Sequence, residues 1–208
     1  KKYEEAFSSP VEIEFAATIS DSPSKLRFGF LQVRPMTVSD ETIDLKEDEL
    51  FGDDVLLASD TVMGNGIIKG IDDVVFVKPE KFDKKETTKI ALEIDSINKK
   101  LVSSKTKYLL LGFGRWGSSD PWLGIPVGWG QIAGAAVIVE STLLGINVEL
   151  SQGSHFFHNL TSFNVSYFSL TFDGEFKIDW DWLNSQQVVN ETDFVKHVKL
   201  TRPLIIKV

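Results

Sequence analysis

In this chain of 208 residues one stretch, residues 83–102, carries apolar side chains at helical spacing, with Ile90, Ile94, Ile97 and Leu101 on one face. Asp83, with Glu86 three residues on, supplies a helix start, and Lys99 and Lys100 suit the negative end of the helix dipole. Elsewhere the apolar residues come in runs too short for helices, at residues 55–58, 66–69, 74–77, 107–111, 135–139, 147–150, 166–172 and 175–180. A short helix is expected after Val188, and Asn65-Gly66 predicts a hairpin turn between the first two of these runs. One clear helix among many strands, without internal repeats, predicts an α+β fold: a mixed, mainly antiparallel sheet with few helices, and no doubly wound sheet.

Ahead of these runs, Val11, Ile13, Phe15, Ala17 and Ile19 alternate with Glu12, Glu14, Ala16 and Thr18, the period of a half-buried strand. A turn at Ser20-Asp21-Ser22-Pro23-Ser24 leads to a second strand, Arg27 to Arg34. Strict alternation there puts Phe28, Phe30, Gln32 and Arg34 on one face and Leu31 and Val33 on the other. Eight acids and one base between Asp40 and Asp54 read as a solvated connector. The expected organisation is a hairpin in residues 1–39, a connector in 40–54 and an α+β unit in 55–208.

A hydrophobic content of 42% and a charged content of 25% fit a globular chain with a real core. The absence of cysteine excludes disulfide scaffolds, thiolate zinc sites and cysteine nucleophiles. A net charge of -8 disfavours nucleic acid and anionic membrane as partners. No apolar run is long enough to span a membrane, and the start Lys1-Lys2-Tyr3-Glu4-Glu5 is no signal peptide, so a cytoplasmic protein is expected. Both ends read as boundaries within a longer protein.

In the hairpin, pairing would bring Glu12 and Glu14 beside Gln32 and Arg34. Carboxylate oxygens suit magnesium, and Arg with Gln can hold phosphate oxygens and neutralise charge during phosphoryl transfer. The spacing is equally met by a cross-strand ion pair on a solvated sheet face.

The segments Val11-Glu12-Ile13-Glu14-Phe15-Ala16 and Phe30-Leu31-Gln32-Val33-Arg34-Pro35 resemble the end of the ATP-grasp nucleotide-binding domain of the phosphoenolpyruvate synthase and pyruvate phosphate dikinase family. The resemblance covers residues 9–38. It implies Glu14 and Gln32 as magnesium contacts, Gln32 and Arg34 as ATP phosphate contacts, and Arg34 as the catalytic charge neutraliser; it assigns Glu12 no role. It implies an ATP-dependent phosphotransferase whose partners are nucleotide, pyruvate or phosphoenolpyruvate, and the rest of the parent chain. The upstream nucleotide contacts of that family fall outside this sequence, so the chain alone is expected to be inactive. From Asp40 on, the chain is similar to a C-terminal extension in a bacterial subgroup of that family, to which no role is assigned.

Between Tyr108 and Phe172 only Arg115, Asp120, Glu140 and Glu149 are charged, against nine glycines and three of the five tryptophans. Here Gly112-Phe113-Gly114-Arg115-Trp116-Gly117 matches GxGxxG in form, but Asp120-Pro121 and Gly124-Ile125-Pro126 interrupt where a dinucleotide motif needs a helix. One reading is a ligand loop, a regulatory or small-ligand module in which Arg115, Trp116, Asp120 and His155 sense a small anion or sugar, with Trp122 as a second flat wall. The other is a glycine-turn loop whose Arg115 pairs with Asp120 and whose tryptophans fill the core. The ligand loop requires Arg115 to line an open pocket without a carboxylate partner.

Ser154-His155 is similar to the T-S-H-A-A motif of the same family's phosphohistidine domain only over Ser and His, and Phe156-Phe157 departs from its small residues. A zinc site on His155 and His158 lacks a third ligand, and a Ser154-His155 hydrolase dyad is opposed because neighbours in a strand point apart. The nine lysines between Lys78 and Lys107 are read as the solvated side of the helix and its flanks rather than a phosphate site.

Overall fold

The computed structural model describes residues 2–18, 27–35, 43–145, 148–154, 156, 160 and 162–208. They fall into two compact units, Lys1–Ser39 and Asp40–Val208.

The first unit is helix α1 (Lys2–Phe7) and the antiparallel pair β1 (Val11–Thr18) and β2 (Arg27–Pro35). Cα partners run Glu12↔Arg34, Ile13↔Val33, Glu14↔Gln32, and then Phe15↔Phe30. Leu31 is skipped, which makes a β-bulge. The bulge resets the alternation, so Phe28 and Phe30 join Phe15 and Ala17 on the face opposite Gln32 and Arg34. This corrects the expectation that Phe28, Phe30, Gln32 and Arg34 share a face. Phe15 stacks on Phe28 at 4.9 Å between centroids, and Tyr3 of α1 stacks on Phe30 at 5.5 Å.

The second unit is a mixed α+β structure with few helices, as expected. Its seven-stranded sheet has the order β10-β11-β4-β5-β8-β9-β3. β4 (Ile67–Val77), β5 (Tyr108–Phe113), β8 (Ala135–Ser141) and β9 (Ser166–Leu170) run parallel at the centre. β3 (Thr61–Met63) closes one edge, and β11 (Val195–Lys207) and β10 (Gln187–Glu191) the other, all antiparallel to their neighbours. A small parallel bridge joins β6 (Arg115–Trp116) to β7 (Gly124–Ile125).

Helix α2 (Thr87–Ser103) crosses over between β4 and β5. Ile90, Ile94, Ile97 and Leu101 are buried as the spacing predicted, and burying each such side chain is worth about 1.5–3 kcal/mol. Asp83 does not start this helix; its carboxylate accepts from the Lys85 N–H (2.9 Å) and caps a 3-10 turn, Lys84–Glu86, just before it. Asn98 seats α2 on the sheet, because its Oδ1 accepts from the Tyr108 hydroxyl and the Gly134 N–H, both at 3.0 Å. On the other sheet face, Trp180 of α3 (Trp180–Ser185) packs 5.9 Å from Phe76 and 5.8 Å from Phe113.

Several expected elements are revised. The runs 66–69 and 74–77 are parts of one 11-residue strand. Asn65-Gly66 makes no hairpin, since β3 and β4 stand at separate places in the sheet and Gly66 instead exchanges backbone hydrogen bonds with Val208 (2.9 and 3.0 Å). Residues 55–58 and 175–179 form no strand, and residues 148–150 of the run 147–150 lie in irregular backbone. The segment expected to turn helical after Val188 is strand β10. The described part of the acidic stretch is docked on this unit: Phe51 stacks on Phe176 at 5.3 Å, and Glu49 pairs with Lys207. Of the lysines, Lys78 is buried rather than solvated, and donates to Glu191 (3.1 Å) and to the Thr192 carbonyl (2.8 Å). Among the described residues no helix is long and apolar enough to cross a membrane.

Candidate functional site

The hairpin places Glu14 directly opposite Gln32, and Glu12 opposite Arg34, in the β1–β2 ladder. Directly opposed residues hold their Cβ atoms about 4.5–5.5 Å apart on one face, and diagonal neighbours stay within reach of a long side chain. Glu14, Gln32 and Arg34 therefore share one face, which the Leu31 bulge frees of the two phenylalanines. A carboxylate oxygen and an amide oxygen at this separation are the hard donors magnesium takes, and magnesium keeps waters or phosphate oxygens in its remaining positions. The residues present fit such an ion and a phosphate beside it.

The glycine loop after β5 is built differently from either reading of it. Trp116 is fully buried; its Nε1–H donates to the Val139 carbonyl at 3.0 Å, and its indole lies against Gly112. A Cβ on Gly112 would come within 2.5 Å of Trp116 Cζ2, so only glycine leaves room for the ring. Gly117, at φ 69°, likewise faces the Phe156 ring. Two glycines of the motif are thus sockets for aromatic rings, and Trp116 is core rather than a ligand wall. Trp122 is exposed.

Arg115 is one-quarter exposed; its Nε donates to the Glu149 carbonyl at 2.7 Å, and its guanidinium lies 3.8 Å from the Glu149 carboxylate. It pairs with neither Asp120 nor Glu140, and it lines neither of the two cavities described beside it. Asp120 serves its own turn: Oδ1 accepts from the Trp122 N–H at 2.9 Å. The loop therefore offers no open guanidinium free of a carboxylate. His155 and His158 lie outside the described residues, so the carrier, zinc and dyad readings on them have no structural counterpart here. Ser154 is exposed. Among the described residues no group of three or more His, Asp or Glu side chains could hold a metal ion.

A second polar cluster, not singled out from the sequence, sits at the carboxyl ends of the parallel strands, where sheets of this kind present ligand sites. Glu140, the penultimate residue of β8, is fully buried. Its Oε1 accepts from the Ser151 hydroxyl at 2.7 Å and its Oε2 from the Gln152 N–H at 2.9 Å, while the Tyr167 hydroxyl lies 3.5 Å from the Ser151 hydroxyl. Burial pushes the Glu140 carboxyl above the ordinary glutamate range despite these bonds, and burial with the Glu140 charge pushes the Tyr167 phenol up. A carboxylate closing the apolar run Ala135-Ala136-Val137-Ile138-Val139 was the signal in the sequence.

A third cluster is buried between β4 and β11. Asp73 Oδ1 lies 2.7 Å from His197 Nε2, and its Oδ2 accepts from Lys199 at 2.8 Å. The hydrogen bond to Asp73 holds the Lys199 ammonium above its ordinary pKa. Neither cavity includes these residues, and the arrangement ties two strands together. Compared with family models, curated proteins and solved structures, the chain finds no match.

Proposed function

We propose that residues 9–38 contribute metal and phosphate ligands to a Mg-ATP site in a phosphoenolpyruvate synthase-like phosphotransferase. Glu14 and Gln32 contact the magnesium ion, Gln32 and Arg34 hold phosphate oxygens, and Arg34 neutralises charge on the transferring phosphoryl group. The carrying observation is the register: Glu14 opposite Gln32, two residues from Arg34 on the same strand. Magnesium supplies charge neutralisation at the phosphates; the chain's residues supply position, which is what phosphoryl transfer asks of a protein. The substrate reading, pyruvate or phosphoenolpyruvate, rests on the family resemblance alone.

The test is made on the intact protein, incubated with magnesium and ATP labelled at the β or γ phosphate. Protein-bound label that is lost in mild acid, and that fails to form in Glu14→Gln, supports a phosphohistidine-type transfer. A folded protein that binds ATP and takes up no label would overturn it.

A further inference from the structure

The Asn65-Gly66 pair, which makes no hairpin, is the one Asn-Gly dipeptide of the sequence and stands just ahead of β4. Asparagine is thermolabile, because the nitrogen of the following peptide bond can attack its side-chain amide carbon. A Cβ on the following residue hinders that approach, and glycine has none. Asn65 is exposed, so water and base reach its amide, and Gly66 lies in the left-handed region at φ 95°.

In the folded chain the attacking nitrogen is engaged. Gly66 is buried; its N–H donates to the Val208 carbonyl at 2.9 Å, and its own carbonyl accepts from the Val208 N–H at 3.0 Å. This doubly bonded pair extends the β4–β11 ladder past Ile68↔Ile206 and Ile67↔Lys207. A nitrogen held in a ladder hydrogen bond can neither lose its proton to solvent base nor turn toward the Asn65 side chain, so attack waits until the end of the ladder opens. The sequence supplies a reactive pair, and the pairing of two distant segments restrains it.

We propose that Asn65 is a site of spontaneous deamidation, gated by the Gly66–Val208 pair. On opening, the Gly66 N–H gives its proton to solvent base and the nitrogen bonds to Asn65 Cγ; the amide Cγ–N bond of Asn65 breaks, and ammonia leaves. Water then opens the succinimide at one carbonyl or the other, giving aspartate or isoaspartate with no change of oxidation state. Isoaspartate carries the main chain through Cγ and so adds one methylene between residues 65 and 66. The Gly66 amide is then displaced from Val208, and the end of the β4–β11 ladder cannot re-form as before. The proposal goes beyond the nucleotide reading and stands on residues of the second unit alone.

The test ages the intact protein in mildly alkaline buffer, folded and in unfolding guanidinium chloride. Conversion at Asn65 is read by peptide mass spectrometry, and hydrogen exchange of the Gly66 amide by NMR. The unfolded chain converts readily, and the folded protein more slowly by the factor by which folding protects the Gly66 amide from exchange. Ile206→Ala, which removes a buried contact beside the pair, raises both rates together about tenfold; should that variant not fold, urea below the unfolding transition does the same in the wild type. The proposal is overturned if the folded protein converts as fast as the unfolded chain, if conversion does not follow Gly66 exchange, or if the unfolded chain is stable at Asn65.

Discussion

Glu140 and Ser169 are Cα partners in the parallel ladder of β8 and β9, yet each oxygen of Glu140 accepts a hydrogen bond and the hydroxyl of Ser169 has no partner among the described residues. The bonded carboxyl holds the overlying segment down, and the Ser169 hydroxyl is buried beside it.

The buried carboxyl makes stability depend on pH. Its folded pKa lies above its unfolded one, so the native state binds more protons between the two values. Its contribution to stability is therefore lost as pH rises from the ordinary glutamate range through the folded pKa. Glu140→Gln, which keeps the shape and an acceptor, should gain stability relative to wild type as pH climbs from about 4.5 to 8. Parallel unfolding curves across that range would show that burial does not govern this group. Glu140→Ala, which strands the donors of Ser151 and Gln152, should cost about 3 kcal/mol.

Gly112 holds no ligand in this account; it holds a ring. Gly112→Ala should destabilise the protein by about 1–3 kcal/mol in urea unfolding, because the new methyl collides with Trp116. Gly130, whose added Cβ would meet nothing within 4 Å, is the control, and its alanine variant should be close to neutral.

The Asp73 cluster and the Lys99–Asp95 pair of α2 separate buried from exposed electrostatics. Asp73→Leu leaves His197 and Lys199 without their shared acceptor and should cost about 3–5 kcal/mol. Lys99→Ala removes a 2.7 Å pair whose lysine is largely exposed, and should change stability by less than about 0.5 kcal/mol. Equal losses in chemical denaturation would contradict this ranking.

In the hairpin the nucleotide reading needs Phe28 and Phe30 on the face opposite Gln32 and Arg34, and it needs nothing of the Leu31 side chain. Deleting Leu31 removes the extra residue and makes Phe30 the neighbour of Gln32, so plain alternation keeps Phe28 and Phe30 on the face opposite Gln32 and Arg34. Phosphoryl labelling of the intact protein should survive both the deletion and Leu31→Ala, and its loss in either would contradict this reading. Arg34→Lys, which loses the planar fork, should slow labelling about 10²-fold.

Much of the secondary structure was legible where one physical signal dominated. The four apolar positions of α2 are a direct imprint of burial on one face, whereas β1 forms as its alternation predicts but leaves Ile13 and Phe15 exposed rather than half-buried. β4 was read as two runs because Gly70, Asp72 and Asp73 interrupt its apolar pattern; Asp73 is tolerated inside the strand only because His197 and Lys199, far along the chain, satisfy it. The parallel centre was hidden because, among the described residues, only the β4–β5 crossover carries a long helix, while β5 returns to β8 through the Trp116 loop and short turns. The bulge at Leu31 leaves no mark in composition. In the candidate sites, alternation brought Glu12 and Glu14 beside Gln32 and Arg34, but the sockets for Trp116 and Phe156 and the buried hydroxyl of Ser169 depend on contacts between distant segments, which no local pattern encodes.

The placement of β11 bears on how the chain reaches this structure at all. This strand lies between β10 and β4, and its His197 meets an Asp73 that precedes it by 124 residues. During synthesis β4 emerges with one ladder edge open and waits for a partner that has not yet been made. Pairings of such sequence separation form slowly, since loop closure must come before any gain. The interval is the period in which the apolar edge of β4 is most exposed to wrong partners.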